Sequence, residues 1–507
     1  MVDRGNMDMG GPPARRRRNI WIGVLTGLVV IVVAVAAAVV LVTVRPWTEE
    51  FRHGGLQIAA APAPLRPAAQ PATASSTKPG PSPQGLAAAL APVAGNPDLG
   101  AFSASVSDPD TRTTLWSVDP GKPVIPASTA KVMTAAAALL VAPPEHRVST
   151  RVVAGASPNE LVLVGGGDPT LTAQADGKGY YRNGPRLSDL VQQIRASGRQ
   201  ADTIVVDTSL YTGPTSPSGW DPADIAGGSW APIEPVMIDG GRLDPLVEYS
   251  PRTPTPALDA GRRLAAELGI DPGRVRSGRA PAGAAEVAQV QSAPLRDRLS
   301  EMMIHSDDVL AETIGREVAT VTGNEQSFAG AATAMVTALN AAGFDTTGTT
   351  MLDNSGLSTD DRVPARLLDR ILVEAAAPQP GSGTTTGTGG ATATGGAAGQ
   401  GDTTGTTAAD GSTGTGSPLA PLLDYLPVAA GSGSLADRFV TPADRTGAGW
   451  VRAKTGTLSV SSALAGYVLD SDGRVLTFAL MSNDRPPEAS RPALDAIAAG
   501  LRRCGCS

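Results

Sequence analysis

Five lysines are spread over 507 residues, and two of them stand where an amine could do chemistry. In Ser128-Thr-Ala-Lys131 a serine precedes a lysine by three residues, and Val132, Met133, Ala135, Ala136, Leu139 and Leu140 follow. That run is apolar on nearly every face, which predicts a buried central helix. Residues three apart share a helix face, so the amine can reach the hydroxyl. Burial disfavours a charged amine, and a neutral one can take the proton of a serine, which is a poor nucleophile without a base. A first-turn position adds the positive end of the helix dipole, which favours an oxyanion. A capping serine beside a snorkelling lysine is the plainer reading of the same segment. Ser75-Ser-Thr-Lys78 repeats the spacing, but Pro79 follows in a tract that cannot hold a helix, so it reads as linker.

Lys454-Thr455-Gly456-Thr457 lies within residues 450–460, which alternate like a strand. A strand glycine allows close approach of a ligand's backbone, a strand edge can pair with an extended peptide, and the lysine offers charge for a carboxylate. Between the two lysines, Ser306-Asp307-Asp308 falls in the polar break of a long helical pattern, 295–321. Taken alone, it is a common surface turn. The three histidines give little support to a Ser-His-Asp hydrolase: His53 and His146 fall in a tether and a loop, and His305 reads as a packing or hydrogen-bonding residue.

Positioning these groups requires a particular arrangement of elements. Residues 101–106 and 113–118 alternate as two strands, and 450–460, 463–469 and 474–481 return to strands before a last helix over 491–502. Strands from both chain ends, with helices between, predict an α+β fold with an antiparallel sheet flanked by helices. Residues 148–205 mix strands with one helix, and 257–268 is helical. The expected division is a catalytic domain over 98–145 and 285–507, with an inserted accessory region over 146–284. A Gly/Thr-rich tract at 379–417 predicts a disordered loop within the catalytic part.

Ahead of the folded part, Arg15–Arg18 precede 26 uncharged residues, 19–44. A helix of that length spans roughly 39 Å against a hydrocarbon core of about 30 Å. It predicts an uncleaved transmembrane anchor, with residues 1–18 cytoplasmic and a Pro/Ala-rich tether over 45–97 outside. The formal charge of −7 argues against a nucleic-acid partner. Cys504 and Cys506, both at the C-terminus, provide neither a disulfide framework nor enough ligands for a metal.

Ser-x-x-Lys, Ser-x-Asn and Lys-Thr-Gly in this order form the signature of penicillin-binding proteins and serine β-lactamases. The chain resembles that family at Ser128–Lys131, Ser306–Asp308 and Lys454–Gly456. The 175 residues from Lys131 to Ser306 make it similar to the D-alanyl-D-alanine carboxypeptidase/endopeptidase branch, the penicillin-binding protein 4 type. Segments 163–171, 353–358 and 431–435 add to the likeness. The resemblance implies that Ser128 is the nucleophile, Lys131 its general base and Ser306 a proton relay to the leaving amine. It further implies that Asp308, Lys454, Thr455, Gly456 and Thr457 bind substrate, with no metal or organic cofactor. The implied partners are peptidoglycan stem peptides, β-lactams as covalent inhibitors, and the membrane through the N-terminal helix. Asp308 departs from the pattern, because an ionised carboxylate only accepts hydrogen bonds where Asn would also donate. A catalytically degenerate cell-wall binding protein and a β-lactamase are the competing readings.

Overall fold

Lys131 and Lys454 are 323 positions apart, so both ends of the folded chain must close on one another for them to meet. The computed structural model shows how they do so. It describes residues 31–43, 79–378 and 417–505. In chain order the first elements are α1 (Pro83–Ala94), β1 (Ala101–Asp108), β2 (Thr113–Val118), β3 (Pro123–Val124) and α2 (Lys131–Val141). The insertion carries β4 (Ser149–Ala154), β5 (Glu160–Val164), α3 (Leu187–Ala196), β6 (Thr203–Asp207), α4 (Pro256–Leu268), β7 (Val275–Ser277) and β8 (Glu286–Gln291). There follow α5 (Leu295–His305), α6 (Asp308–Thr322), α7 (Phe328–Ala341), β9 (Val363–Pro364) and α8 (Ala365–Ala376). The chain closes with β10 (Val451–Leu458), β11 (Ser461–Leu469), β12 (Val475–Asn483) and α9 (Pro487–Arg503).

The main sheet runs β10-β11-β12-β1-β2 and is antiparallel throughout. Side chains alternate between its faces. Ala463, Ala465, Ala479 and Met481 face a helical layer that includes α2, α5, α6, α7 and α8. Leu464, Leu480, Phe478 and Val468 face the opposite side, against α1 and α9. Small residues on the inner face let the helices lie close, and β10 is left as an edge strand beside α2's entry turn. Asp369 of α8 is buried against the sheet. It accepts hydrogen bonds from Ser105 and Ser107, both at 2.6 Å, and from Thr477 at 2.7 Å. Those three hydroxyls supply the partners a buried carboxyl needs.

The insertion builds a second sheet, β7-β6-β5-β4-β8, with β5, β6 and β7 parallel and β4 antiparallel to both neighbours. Helices α3 and α4 cover one of its faces through Leu187, Leu190, Ile194, Ala260 and Leu264. Because β8 pairs with β4 from residue 286 to 291, this sheet extends beyond the expected limit at 284.

The expected tether also ends earlier than residue 97. Ser82 caps α1 by accepting from Gly85 N, and Leu86 and Leu90 are fully buried beside Leu494, Ile497 and Leu501 of α9. Alanine and proline dominate this segment, and its two leucines, four residues apart, supply the packing that composition alone obscures. Residues 31–43 are helical and belong to a separate N-terminal unit. Among the described residues no helix is long and apolar enough to cross a membrane, and most of the expected span 19–44 lies outside them. The Gly/Thr tract lies outside them too, except for Ser417. Cys504 is buried and disulfide-bonded.

Replacing Leu90 by alanine should destabilise the folded unit by about 2–5 kcal/mol, the usual range for a fully buried leucine. Urea unfolding measures this, and a change within error would show that α1 is not part of the core.

Candidate active site

Ala127–Ala130 form a 3-10 turn that runs straight into α2 at Lys131. No side chain caps either element, so Ser128 is not the helix cap its position allows. Its hydroxyl instead lies 3.0 Å from Lys131 Nζ. Lys131 is fully buried, and its amine also donates to Asp308 Oδ1 at 2.6 Å and to the carbonyl of Ser355 at 2.8 Å. The nucleophile is approached through strained backbone: Ala127 has φ +47, which an L-residue holds at a cost of about 1–3 kcal/mol.

Two glycines make that strain tenable. A Cβ on Gly356, itself at φ +79, would overlap Ala127's carbonyl oxygen. One on Gly456 would lie 2.8 Å from Pro126 O and 3.2 Å from Ser128 N. The glycine of Lys-Thr-Gly therefore admits the nucleophile's own turn, not the ligand backbone that strand position alone suggests.

The loop bearing Gly356 is organised by Asp353, which accepts from the amides of Gly356 at 2.7 Å and Ser358 at 2.8 Å and from Trp220 Nε1 at 2.9 Å. Asn354 donates through its backbone N–H to Glu312 at 2.8 Å, and its carbonyl accepts from Thr134 at 2.5 Å. Glu312 is buried, and burial followed by the charge of Asp353 pushes its carboxyl up to about 7.

Ser306 ends α5 in the left-handed region, at φ +58, and the next residue begins a new cap. Asp307 accepts from Leu310 N at 2.8 Å to start α6. This switch turns the Ser306 hydroxyl to within 2.8 Å of Lys454 Nζ. Lys454 is fully buried and also donates to the carbonyl of Thr455 at 2.8 Å. The charge expected to meet a substrate carboxylate is thus turned inward to Ser306. Desolvation first, then the like charge of Lys131, pull the Lys454 amine well below the ordinary lysine range. Asp308 opposes that effect. Burial raises the Asp308 carboxyl, while Lys131 acts to lower it.

Ser128, Ser306, Asp308, Thr455 and Thr457 line one cleft of about 690 Å³, with Lys131, Lys454 and Gly456 packed directly behind them. A second hollow of about 750 Å³ lies between β4 and α6; no residue of the three signature motifs lines it, but Val164, Gly165 and Gly166 of segment 163–171 do. Segment 163–171 contributes nothing to the catalytic cleft, whereas Ser434, from 431–435, has its hydroxyl 2.6 Å from Thr455 Oγ1. Sequence reading passed over Tyr180, Arg242 and Tyr249 of the insertion and Arg491 of α9, all of which line this cleft. Arg491 is exposed and donates to Thr457 Oγ1 at 3.3 Å. No local motif marks these four, because the fold brings them in from distant segments.

A nucleophilic serine with a lysine base three residues on, faced by a second serine–lysine pair beside the edge of an antiparallel sheet, defines an acyl-transferring serine enzyme. Comparison with known proteins narrows the class. Residues 86–254, 247–386 and 412–503 match the D-Ala-D-Ala carboxypeptidase 3 (S13) family, and the chain belongs to it. It is 47% identical over 432 residues to a carboxypeptidase of Mycobacterium tuberculosis strain H37Rv, covering 84% of this chain and 86% of that one. The carboxypeptidase DacB of Mycolicibacterium smegmatis is 44% identical over 503 residues, 97% of this chain and 99% of its own. Penicillin-binding protein 4 of Haemophilus influenzae shares the fold, with a TM-score of 0.61 at 19% identity over 82% of this chain and 98% of that one.

Asp308→Asn removes one of the interactions that keep a proton on Lys454. A proton donor without that support loses its proton at lower pH. The alkaline limb of the pH dependence of kcat/KM should therefore move to lower pH in this variant. An unmoved or raised limb would show that Asp308 does not govern the protonation of Lys454.

Proposed function

We propose that the protein is a serine D,D-peptidase that cleaves D-Ala-D-Ala termini or D,D-cross-links of peptidoglycan through a covalent acyl-enzyme. The observation that carries this reading is the pairing of Ser128 with Lys131 at 3.0 Å, opposite the pairing of Ser306 with Lys454 at 2.8 Å. Membership of the D-Ala-D-Ala carboxypeptidase family supports it.

Ser128 Oγ attacks the carbonyl carbon of the penultimate D-alanine as its proton passes to Lys131. The amide N–H groups of Ser128 and Thr457 take the developing oxyanion, each donor being worth about 2.7–4 kcal/mol in such sites. As the C–N bond breaks, the leaving amine needs a proton, and Ser306 hands it over from Lys454. A lysine whose ammonium is disfavoured gives up a proton readily, so the depressed Lys454 suits this step. Water then attacks the ester, its proton passing through Ser306 to restore Lys454, and Lys131 returns its proton to Ser128 Oγ as the ester C–O bond breaks. Thr455 and Thr457 hold the carboxylate of the departing residue, and the exposed guanidinium of Arg491 supplies the charge that buried Lys454 cannot.

A β-lactam presents a carbonyl and a carboxylate to the same groups, and penicillin-binding protein 4 of Haemophilus influenzae, which shares this fold, is described in complex with one. Incubation with penicillin should add the mass of one drug molecule to the intact protein, and Ser128→Ala should abolish the adduct. A folded wild-type protein that never acquires it would favour the cell-wall binding reading.

We further propose that residues 19–44 anchor the protein in the cell membrane, with the catalytic part on the wall side. The uncharged run after four arginines supports this, as do exposed Ile31, Val32, Val33 and Val35 on the helix at 31–43. Full-length protein should sediment with membranes and resist extraction by high salt, and release by salt alone would refute the anchor.

A further inference from the structure

Ser306 holds a left-handed conformation that a non-glycine residue adopts rarely; it ends α5 there, with its own N–H and that of Asp307 both donating to the Met302 carbonyl. The residues on either side of it are held from outside. Tyr180, from the insertion, packs edge-on against His305 with ring centroids 5.4 Å apart. Tyr181 OH donates to Asp307 Oδ2 at 2.9 Å, and Arg242 Nη2 donates to the same oxygen at 3.0 Å.

Arg242 is itself fixed on every side. Its Nη1 donates to Tyr181 OH at 3.0 Å and to the Asp239 carbonyl at 3.1 Å. Its guanidinium carbon lies 3.4 Å from the centre of the Tyr180 ring. The side chains of Arg242 and Asp307 are each only 2% exposed. Burial alone would raise the Asp307 carboxyl, yet the charges of Arg242 and Arg252 and the amide of Leu310 bring it down to about 2. The pair is therefore a water-excluded ion pair at 3.0 Å, and removing either partner would leave the other buried charge uncompensated.

We infer that Arg242, reaching from the inserted region, is a positioning residue that clamps Asp307 and so holds Ser306 in reach of Lys454. This rests on the relay role given to Ser306 above. A proton relay tolerates little displacement. If the clamp opens, Ser306 can leave the left-handed region and its hydroxyl swings away from the lysine. Substrate contacts made by Thr455 and Thr457 stay as they were. The insertion would then be a working part of the catalytic constellation, grafted on through one guanidinium and two tyrosines.

The test is a double-mutant cycle in the full-length protein. Arg242→Met should lower kcat for D-alanine release roughly 10–100-fold with KM little changed. Arg242→Lys, which keeps the charge without the fork, should recover part of that loss. In a Ser306→Ala background Arg242→Met should have no further effect. If its full loss persists there, Arg242 does not act through Ser306 and the inference fails. Should Arg242→Met not fold, Tyr181→Phe takes its place in the cycle, because it deletes one hydroxyl and spares the ion pair. A crystal structure of the folded variant gives a readout independent of turnover. A Ser306 Oγ to Lys454 Nζ separation beyond hydrogen-bond reach supports the clamp, and an unchanged separation overturns it. Wild-type protein that releases no D-alanine would instead sink the peptidase reading, leaving the crystal comparison to decide the clamp.

Discussion

A lysine ammonium has three N–H donors and no acceptor, and all three donors of Lys131 are used. They go to Ser128 Oγ on the entry turn, to Asp308 Oδ1 at the start of α6, and to the Ser355 carbonyl on the 353–358 loop. Three segments far apart in sequence thus converge on one atom that is wholly out of water. Burying an amine without such partners costs far more than the chain could recover elsewhere. The arrangement around it follows from that demand. Asp353 folds the loop so that a carbonyl points inward, Gly356 lets the loop touch Ala127, and Gly456 lets β10 press on the Ser128 turn. The node that makes the fold self-consistent is also the node that makes the serine reactive.

Much of this was legible in the sequence, for reasons particular to each segment. The run after Lys131 is apolar all round, and the helix it forms is buried all round. The strands at 451–483 alternate cleanly because small and large apolar residues fall on opposite faces of one sheet, and the three motifs are contiguous, so spacing reveals them. What escaped was whatever depends on tertiary neighbours. Helix α1 looked like more tether because Pro and Ala mask two leucines. Gly456 looked like room for a ligand, since nothing local says that Pro126 lies against it. Tyr180, Arg242 and Arg491 carry no motif, and their roles exist only after chain segments 34 or more residues apart have folded together.

The insertion has its own sheet, core and helical cover, and by those measures it could have been an independent accessory. Its connection to the catalytic part argues otherwise. A loosely appended domain meets its neighbour through a wet, polar surface. Here the contact includes a buried ion pair flanked by aromatic rings, set against the residues on either side of Ser306. Hydrophobic packing joins the same regions through Trp220, Trp230, Phe328 and Val309.

The carboxylate at Asp308 makes physical sense once both lysines are considered together. Each is fully buried, each touches a serine, and each charge raises the free energy of the other. Two ammonium groups in one water-poor site would be poorly tolerated, and an asparagine between them could offer only a dipole. The Asp308 carboxyl lies 2.6 Å from Lys131 Nζ, and it opposes the loss of the Lys454 proton that burial and the like charge of Lys131 promote. The proton that Ser306 hands to the leaving amine is thereby retained on Lys454, while Ser128 keeps its own contact with Lys131 at 3.0 Å. A carboxyl can hold that proton on Lys454 where an amide dipole does so only weakly, and this is what distinguishes the site from one built with Asn.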